Sequence, residues 1–157
     1  MYEEQFMAAA VAEADINLTS NEGGPFGAVV VKNGKIVGRG HNRVIAKHDP
    51  TAHGEMEAIR DACKNLGTHD LTGCELFTSC YPCPMCLGGT IWSNIKTIYY
   101  GNTQKDADAI GFRDDVIYEF IQTGCKNDSF LKLEQQGREQ SITTFQKFAA
   151  KSDKQMY

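Results

Sequence analysis

The sequence predicts an α/β fold, a three-layer αβα sandwich in which a mixed five-stranded sheet carries helices on both faces. Asn33 and Gly34 separate two apolar runs, which is the strongest short-range hairpin signal and makes the first two strands antiparallel. Further along, helical and extended patterns alternate, which is typical of a sheet covered by helices. With 157 residues, the chain has the length of one domain, so we expect a single domain over 1–157.

The elements can be assigned in order along the chain. Apolar residues at helical spacing predict an amphipathic N-terminal helix that contains Met7, Val11, Ala14 and Leu18. A later helix follows Pro50 and ends at Gly67, because glycine favours the left-handed conformation that terminates helices. The predicted strands are 26–31, 35–40, 74–79, 96–100 and 129–134. The other predicted helices are 83–92, 104–109, 114–122 and 141–151.

Composition and charge exclude several classes of protein. The hydrophobic fraction of 41% is close to that of globular proteins. The sequence contains no run of 18 apolar residues, which is the length that a membrane-spanning helix needs. The acidic first residues do not resemble a secretory signal. Sixteen basic and 20 acidic residues give a net charge of −4, without the basic stripe of a nucleic-acid binder. We therefore expect a cytoplasmic protein with no membrane partner, and the charge disfavours a nucleic-acid partner without excluding one.

Three residues of zinc-binding type begin two of the predicted helices. His53 precedes one helix, and Cys83 and Cys86 lie three residues apart at the start of another, so both sulfurs face the same way. Their thiolates gain from the positive end of the helix and from a metal. Three protein ligands without an obvious fourth are typical of catalytic zinc, because water holds the open position.

Glu55, two residues after His53, is a candidate catalytic carboxylate. At the start of a helix its side chain can converge with that of His53, where it can take a proton from zinc-bound water and return it to a leaving group. An alternative stays open at this point. If Cys80 were a fourth ligand, the zinc would be structural, the domain would be a non-catalytic zinc module, and Glu55 would have no role.

The pattern His-x-Glu followed by Pro-Cys-x-x-Cys resembles the signature of the cytidine-deaminase-like zinc deaminases. Within that superfamily, the chain is similar over nearly its whole length to the guanine deaminases of bacteria. The stretches that carry this similarity are GPFGA (24–28), GHNR (40–43), DPTAH (49–53), TSC (78–80) and GFRD (111–114). The tRNA adenosine deaminases of bacteria share the central part, 38–86, but the last third of the chain is closer to the guanine enzymes.

The resemblance implies a function and a role for each matching residue. It implies that one zinc ion per subunit is held by His53, Cys83 and Cys86, and that zinc hydroxide attacks C2 of guanine to give xanthine and ammonia. Glu55 would shuttle the proton, and Asp114, or its neighbour Asp115, would assist at the exocyclic amine. The implied substrate-binding residues are Phe26, which stacks on the purine, Asn42, which hydrogen-bonds it, Gly54, beside it, and Tyr157, which closes the site.

The resemblance also implies a homodimer that exchanges a C-terminal segment, about 125–157, so that Tyr157 covers the active site of the partner. Two residues depart from the family pattern: Gly54 replaces a common alanine, and Tyr81 replaces a common glutamate. The alternatives left open are adenosine-to-inosine deamination in tRNA and deamination of another small amino-heterocycle or nucleoside, such as cytosine, guanosine or an aminotriazine.

Overall fold

A computed structural model describes residues 1–157 and divides into two compact units, Met1–Asp115 and Val116–Tyr157. The first unit contains α1 (Glu4–Asp15), a 3₁₀ helix (Ile16–Leu18), β1 (Gly27–Lys32), β2 (Lys35–His41), α2 (Val44–Lys47), α3 (Gly54–Leu66), β3 (Cys74–Cys80), α4 (Pro84–Trp92), β4 (Thr97–Asn102) and α5 (Gln104–Ala109). Helix α6 (Asp115–Gln122) begins at the boundary, and α7 (Arg138–Ala150) lies in the second unit. No helix is both long enough and apolar enough to cross a bilayer.

The sheet is mixed, as predicted, and its strand order is β2-β1-β3-β4. Strand β1 is antiparallel to both β2 and β3, whereas β3 and β4 are parallel. The hairpin turn is confirmed: Asn33 and Gly34 both have positive φ, at 50° and 70°. Two positive φ angles give the type I′ turn that matches the twist of the flanking strands.

The sheet has four strands, so the predicted fifth strand at 129–134 is wrong. The amides of Phe130 and Leu131 donate hydrogen bonds to the carbonyl of Asn127, at 3.0 and 3.1 Å. This segment therefore begins as a turn, and its backbone does not pair with a neighbouring strand, which a β-strand requires.

Helices cover both faces of the sheet, which confirms the three layers. Because side chains alternate along a strand, Ala28 and Val30 of β1 face one side, where they pack with Ala58 and Ala62 of α3. The intervening residues of β1 pack on the other side against Phe6 and Ala10 of α1, with Phe77 from β3 beside them. Strand β1 is thus buried on both faces, which explains its unbroken apolar sequence.

The apolar face of α1 differs from the predicted one. Its buried residues are Phe6, Ala10 and Ala14, whereas Val11 and Leu18 are exposed. The cause is a close approach to β1, since a Cβ built on Gly27 would lie 2.3 Å from the Ala14 amide nitrogen. A helix held this close to a strand must present alanines there, not larger side chains.

Helix α3 also packs unusually close to its strand, β2. A Cβ built on Gly40 would lie 2.3 Å from the backbone nitrogen of Ala58, and one on Gly38 would lie 2.4 Å from the Ala58 carbonyl oxygen. No side chain fits in such a gap. The close contact fixes where α3 begins, and therefore fixes the position of His53 and Glu55.

Candidate active site

A cavity of about 360 Å³ lies where β3 ends and where β1, α3 and α4 begin. Since β1 runs antiparallel to β3, the start of β1 and the end of β3 meet at the same edge of the sheet. The cavity is lined by Gly23, Gly24, Phe26, Asn42, Val44, Ile45, Pro50, His53, Glu55, Cys80, Tyr81, Cys83, Phe112 and Asp114. All of these belong to the first unit.

Two helix starts bring the predicted metal ligands together. His53 is the residue before α3, and Cys83 is the residue before α4, whose first turn contains Cys86. One potential ligand atom from each of the three lies within 4.8 Å of the other two. Pro84 occupies the first position of α4, which favours a helix start there because proline lacks the amide hydrogen that would go unpaired.

The three donors fit zinc. A tetrahedral ion with Zn–N and Zn–S bonds of about 2.0 and 2.3 Å places its nitrogen and sulfur ligands roughly 3.5 Å apart. The distance from His53 Nδ1 to Cys83 Sγ is 3.5 Å. Cys80 is not part of this cluster, since its thiol donates to the Thr103 carbonyl at 3.7 Å. The site therefore offers three protein ligands, and the chemistry of an open zinc position fits it better than a closed structural site.

The two cysteines differ in their electrostatics, and only Cys83 is held as the thiolate that binds a metal. Hydrogen bonds from Cys86 and from His53 stabilise the Cys83 thiolate and lower the pKa of Cys83 to about 4. The pKa of Cys86 is raised, because its thiol donates a hydrogen bond to Cys83 and is buried. The Cys86 amide also points to Cys83 Sγ at 3.5 Å, so the helix start itself contributes a donor to the thiolate.

Glu55 lies in the first turn of α3 and is buried in the cavity wall. Its Oε1 is 3.3 Å from the hydroxyl of Thr78 on β3. Burial raises the pKa of Glu55, because a carboxylate loses solvation in a low-dielectric site. A carboxyl group with a raised pKa is suited to both accepting and returning a proton near neutral pH.

The structure separates the two adjacent acids, Asp114 and Asp115. Asp114 is half-buried and lines the cavity, and burial, with the nearby Cys83 thiolate, raises the pKa of its carboxyl. Asp115 is exposed and pairs with Arg113 at 2.9 Å. Of the two acids, Asp114 is the one placed to act on a molecule in the cavity.

The aromatic wall of the cavity is formed by Phe26 and Phe112. Their rings meet edge to face, with centroids 5.0 Å apart and planes at 88°. A Cβ on Gly24 would lie 2.9 Å from Phe112 and 3.0 Å from Phe26, so this position accepts only glycine without moving the rings. The pair leaves a ring face available to a flat heterocycle.

Asn42 is buried and its orientation is fixed by its neighbours. Its Oδ1 accepts a hydrogen bond from the Val44 amide at 3.1 Å. A Cβ on Gly23 would lie 2.0 Å from the same oxygen, so Gly23 leaves the space that this side chain occupies. Besides this oxygen, Asn42 can offer a ligand its Nδ2 amide, a hydrogen-bond donor.

The remaining residues to place are two predicted substrate-binding residues, Gly54 and Tyr157, and Tyr81, which departs from the family pattern. Gly54 does not line the cavity: a Cβ there would lie 3.0 Å from the Phe26 carbonyl oxygen and 3.1 Å from Gly27 Cα. Tyr157 lies in the second unit and is 84% exposed. Tyr81 does line the cavity, and its ring meets Tyr100 edge to face at 5.0 Å.

The wall residues that sequence reasoning did not assign to the site include Val44, Ile45, Tyr81 and Phe112. Phe112 belongs to the GFRD stretch that carried the family resemblance, and this was the signal that could have identified it. Tyr81 directly precedes the Pro-Cys pair, so its position next to the metal ligands was also visible. Val44 and Ile45 lie on α2, which is too short for a periodic pattern.

The fold and the site together define a zinc deaminase. Residues 1–102 match the family described as the cytidine and deoxycytidylate deaminase zinc-binding region, and the chain belongs to this family. The match covers the three zinc ligands and Glu55, so the chain is a zinc-dependent hydrolase.

Individual relatives and solved structures of this family are similar to the chain to different degrees. Guanine deaminase from Bacillus subtilis (strain 168) is 48% identical over 121 residues, covering 77% of this chain and 78% of that protein. The X-ray structure of guanine deaminase from Bacillus subtilis superposes with a TM-score of 0.92 at 39% identity, covering 100% of this chain and 99% of that one. The structure of guanine deaminase from Nitrosomonas europaea superposes with a TM-score of 0.68 at 34% identity, covering 73% of this chain and 66% of that one. A tRNA-specific adenosine deaminase from Aquifex aeolicus is 40% identical over 105 residues, 67% of this chain and 69% of that protein.

Proposed function

We propose that the protein is a guanine deaminase that hydrolyses guanine to xanthine and ammonia. One observation carries the proposal. A cavity of about 360 Å³ places the zinc-ligand cluster close to the buried carboxyl group of Glu55, the half-buried carboxyl group of Asp114 and an aromatic wall. The structural match to a guanine deaminase over the whole chain supports the same substrate.

Each residue has a distinct part in the proposed reaction. His53, Cys83 and Cys86 hold zinc, which when bound lowers the pKa of a coordinated water and so supplies a nucleophile at neutral pH. Glu55 accepts the proton of that water at its carboxylate and returns it to a ring nitrogen of the purine. The hydroxyl group added to C2 then passes its proton to the exocyclic amine with the help of Asp114. The C2–N bond breaks, ammonia leaves and C2 becomes a carbonyl carbon of xanthine.

The remaining contacts orient the base. Phe26 stacks on the purine, and Phe112 closes the aromatic wall beside it. Asn42 donates from Nδ2 to an acceptor on the purine edge, and the bond from the Val44 amide to Oδ1 holds its side chain in place. Holding the base in this way brings C2 to the catalytic carboxyls, which converts an encounter between two molecules into a reaction within one site.

We also propose that the protein acts as a cytoplasmic homodimer in which the segment of about 125–157 is exchanged and Tyr157 closes the partner's site. The second unit supports this proposal, since it exposes large apolar side chains, among them Phe145 at 73% and Leu133 at 61%. Apolar surface of this kind marks a protein interface, because leaving it in water costs free energy.

A substrate panel on protein of measured zinc content tests the proposed function. Guanine, guanosine, adenine, cytosine, cytidine, an aminotriazine and a tRNA anticodon stem-loop are compared for ammonia release and for the identity of the product. We expect xanthine and ammonia from guanine and little turnover of the others. Efficient conversion of adenosine to inosine in the stem-loop, with guanine inert, would refute the proposal in favour of tRNA editing.

A further inference from the structure

Helix α2 forms part of the cavity wall, although it has only four residues. Val44 and Ile45 line the cavity, and Lys47 is the last residue of the helix. An isolated helix this short is not stable in water, because nucleation costs more than its few hydrogen bonds return. Contacts with the rest of the first unit must therefore fix its position.

The strongest charged contact of α2 is made with α3. Lys47 Nζ lies 2.5 Å from Glu57 Oε2, and the other carboxylate oxygen of Glu57 accepts from Arg60 at 2.8 Å. Glu57 is only 9% exposed, whereas Lys47 and Arg60 are half-exposed. Residues two apart on a helix face different sides, and Glu57 accordingly lines a separate polar pocket while Glu55 lines the catalytic cavity.

Helix α2 also holds the side chain of Asn42. The Val44 amide, in the first turn of α2, donates to Asn42 Oδ1 at 3.1 Å. The Glu22 carbonyl accepts from the Ile45 and Ala46 amides, at 3.0 and 3.1 Å, so α2 is also anchored to the segment that precedes β1. A continuous path of contacts therefore runs from Glu57 through Lys47 and α2 to the side-chain amide of Asn42, which contacts the base in the proposed function.

We propose that Lys47 and Glu57 are positioning residues that hold α2, and through it Asn42, in the geometry that binds the substrate. This inference rests on the proposed function, in which Asn42 contacts the purine. The zinc ligands and Glu55 are held by the starts of α3 and α4, not by α2. Loss of the ion pair should therefore weaken substrate binding more than it slows the chemical step.

Arg60 provides a matched control for the test. Lys47→Met keeps the length of the side chain and removes its charge, which breaks the link to α2. Arg60→Met removes the other partner of the same carboxylate without touching α2. We expect Lys47→Met to raise KM for guanine about tenfold with kcat changed less than about twofold, and Lys47→Arg to restore KM. Arg60→Met should leave KM close to that of the native protein.

Hydrogen exchange supplies a second readout that does not depend on guanine. In the zinc-loaded protein, the amides of α2 should exchange faster in Lys47→Met and remain as in the native protein in Arg60→Met. Equal effects of the two variants, or no effect of Lys47→Met on either KM or exchange, would overturn the positioning role. If the native protein did not deaminate guanine, the proposed function would fail and the exchange comparison alone would decide the role of the pair.

Discussion

Glu55 and Asp114 are both carboxylic acids in one cavity, yet their surroundings prepare them for different tasks. Glu55 is fully enclosed and lies beside Thr78 on β3, whereas Asp114 is half-buried and extends from the segment that follows α5. Burial raises the pKa of each carboxyl group. Only Glu55 shares a helix start with a metal ligand, so it is the residue suited to exchange protons with the nucleophile.

We predict that Glu55→Gln retains zinc but loses between about 10² and 10⁴ in kcat/KM for guanine, which is the usual contribution of a positioned acid or base. Glutamine has the same shape and can keep the contact with Thr78, but it cannot carry the proton. Zinc content by atomic absorption serves as the control. A variant with normal zinc and a near-native rate would show that another group moves the proton.

Glu57 makes a different prediction, which concerns stability and pH. Burial alone would raise the pKa of Glu57, but hydrogen bonds from Lys47 and Arg60 outweigh it and hold the pKa below its usual value. The folded state therefore binds this proton more weakly than the unfolded chain. It follows that Glu57 contributes stability above the ordinary carboxyl pKa of about 4.3, and that this contribution disappears as pH falls through the lowered value.

Glu57→Gln should accordingly be less stable than the native chain at pH 7, and the difference should narrow steadily below about pH 5. Urea unfolding of the zinc-free proteins at several pH values measures this, with Glu119→Gln, an exposed glutamate on α6, as the matched control. A difference that stayed constant down to pH 3 would mean that the ionised carboxylate is not what stabilises this position.

At the scale of elements, the site depends on how closely α3 approaches the sheet and on where α3 and α4 begin. The sequence predicted both helices, and their starts are confirmed, because proline, helix-ending glycine and apolar spacing are local signals. Local signals could not reveal α2, which is too short to show a period. They also gave a strand at 129–134, because whether an extended segment finds a neighbouring strand is decided by tertiary structure.

In the cavity, too, local sequence signals predict some residues and not others. His53, Glu55, Cys83 and Cys86 are identified by their motif, but it is the fold that brings the starts of α3 and α4 together. Phe112 lies in an irregular segment, so the direction of its side chain depends on the packing of Phe26 and Gly24, which sequence does not display. Gly54 was expected beside the purine, but the backbone of β1 occupies that side of it.

The close contact of α3 with β2 can be tested with two glycines. Gly40→Ala places a methyl group 2.3 Å from the Ala58 nitrogen and should destabilise the protein by about 1–3 kcal/mol, with weaker zinc binding because α3 carries His53. Gly88→Ala, on α4, is the control: its Cβ would meet nothing within 4 Å, and it should gain roughly 0.5–1 kcal/mol. Thermal unfolding of both variants measures the difference, and equal melting temperatures would mean that the helix can move away at no cost.

At the scale of the whole molecule, the two units differ in how well they bury apolar surface. The first unit contains both hydrophobic clusters and every residue of the catalytic cavity. In the second unit, Phe120 is the one large hydrophobic residue that is buried, whereas Phe130, Leu131, Leu133, Phe145 and Phe148 are exposed. Segments this short rarely build a sufficient core alone, and this exposed apolar surface is the observation that supports the proposed exchange.

If the proposed exchange supplies that surface, each active site contains residues of two chains, and mixing two inactive variants should restore activity. Glu55→Gln lacks the proton shuttle, and Tyr157→Ala lacks the residue that closes the partner's site. After random reassembly, half of the dimers are mixed and each has one intact site, so about a quarter of native activity should return. Without exchange, every site keeps a defect of its own chain and no activity returns. Light scattering establishes whether the native protein is dimeric, and mixing without reassembly controls for contamination by native enzyme.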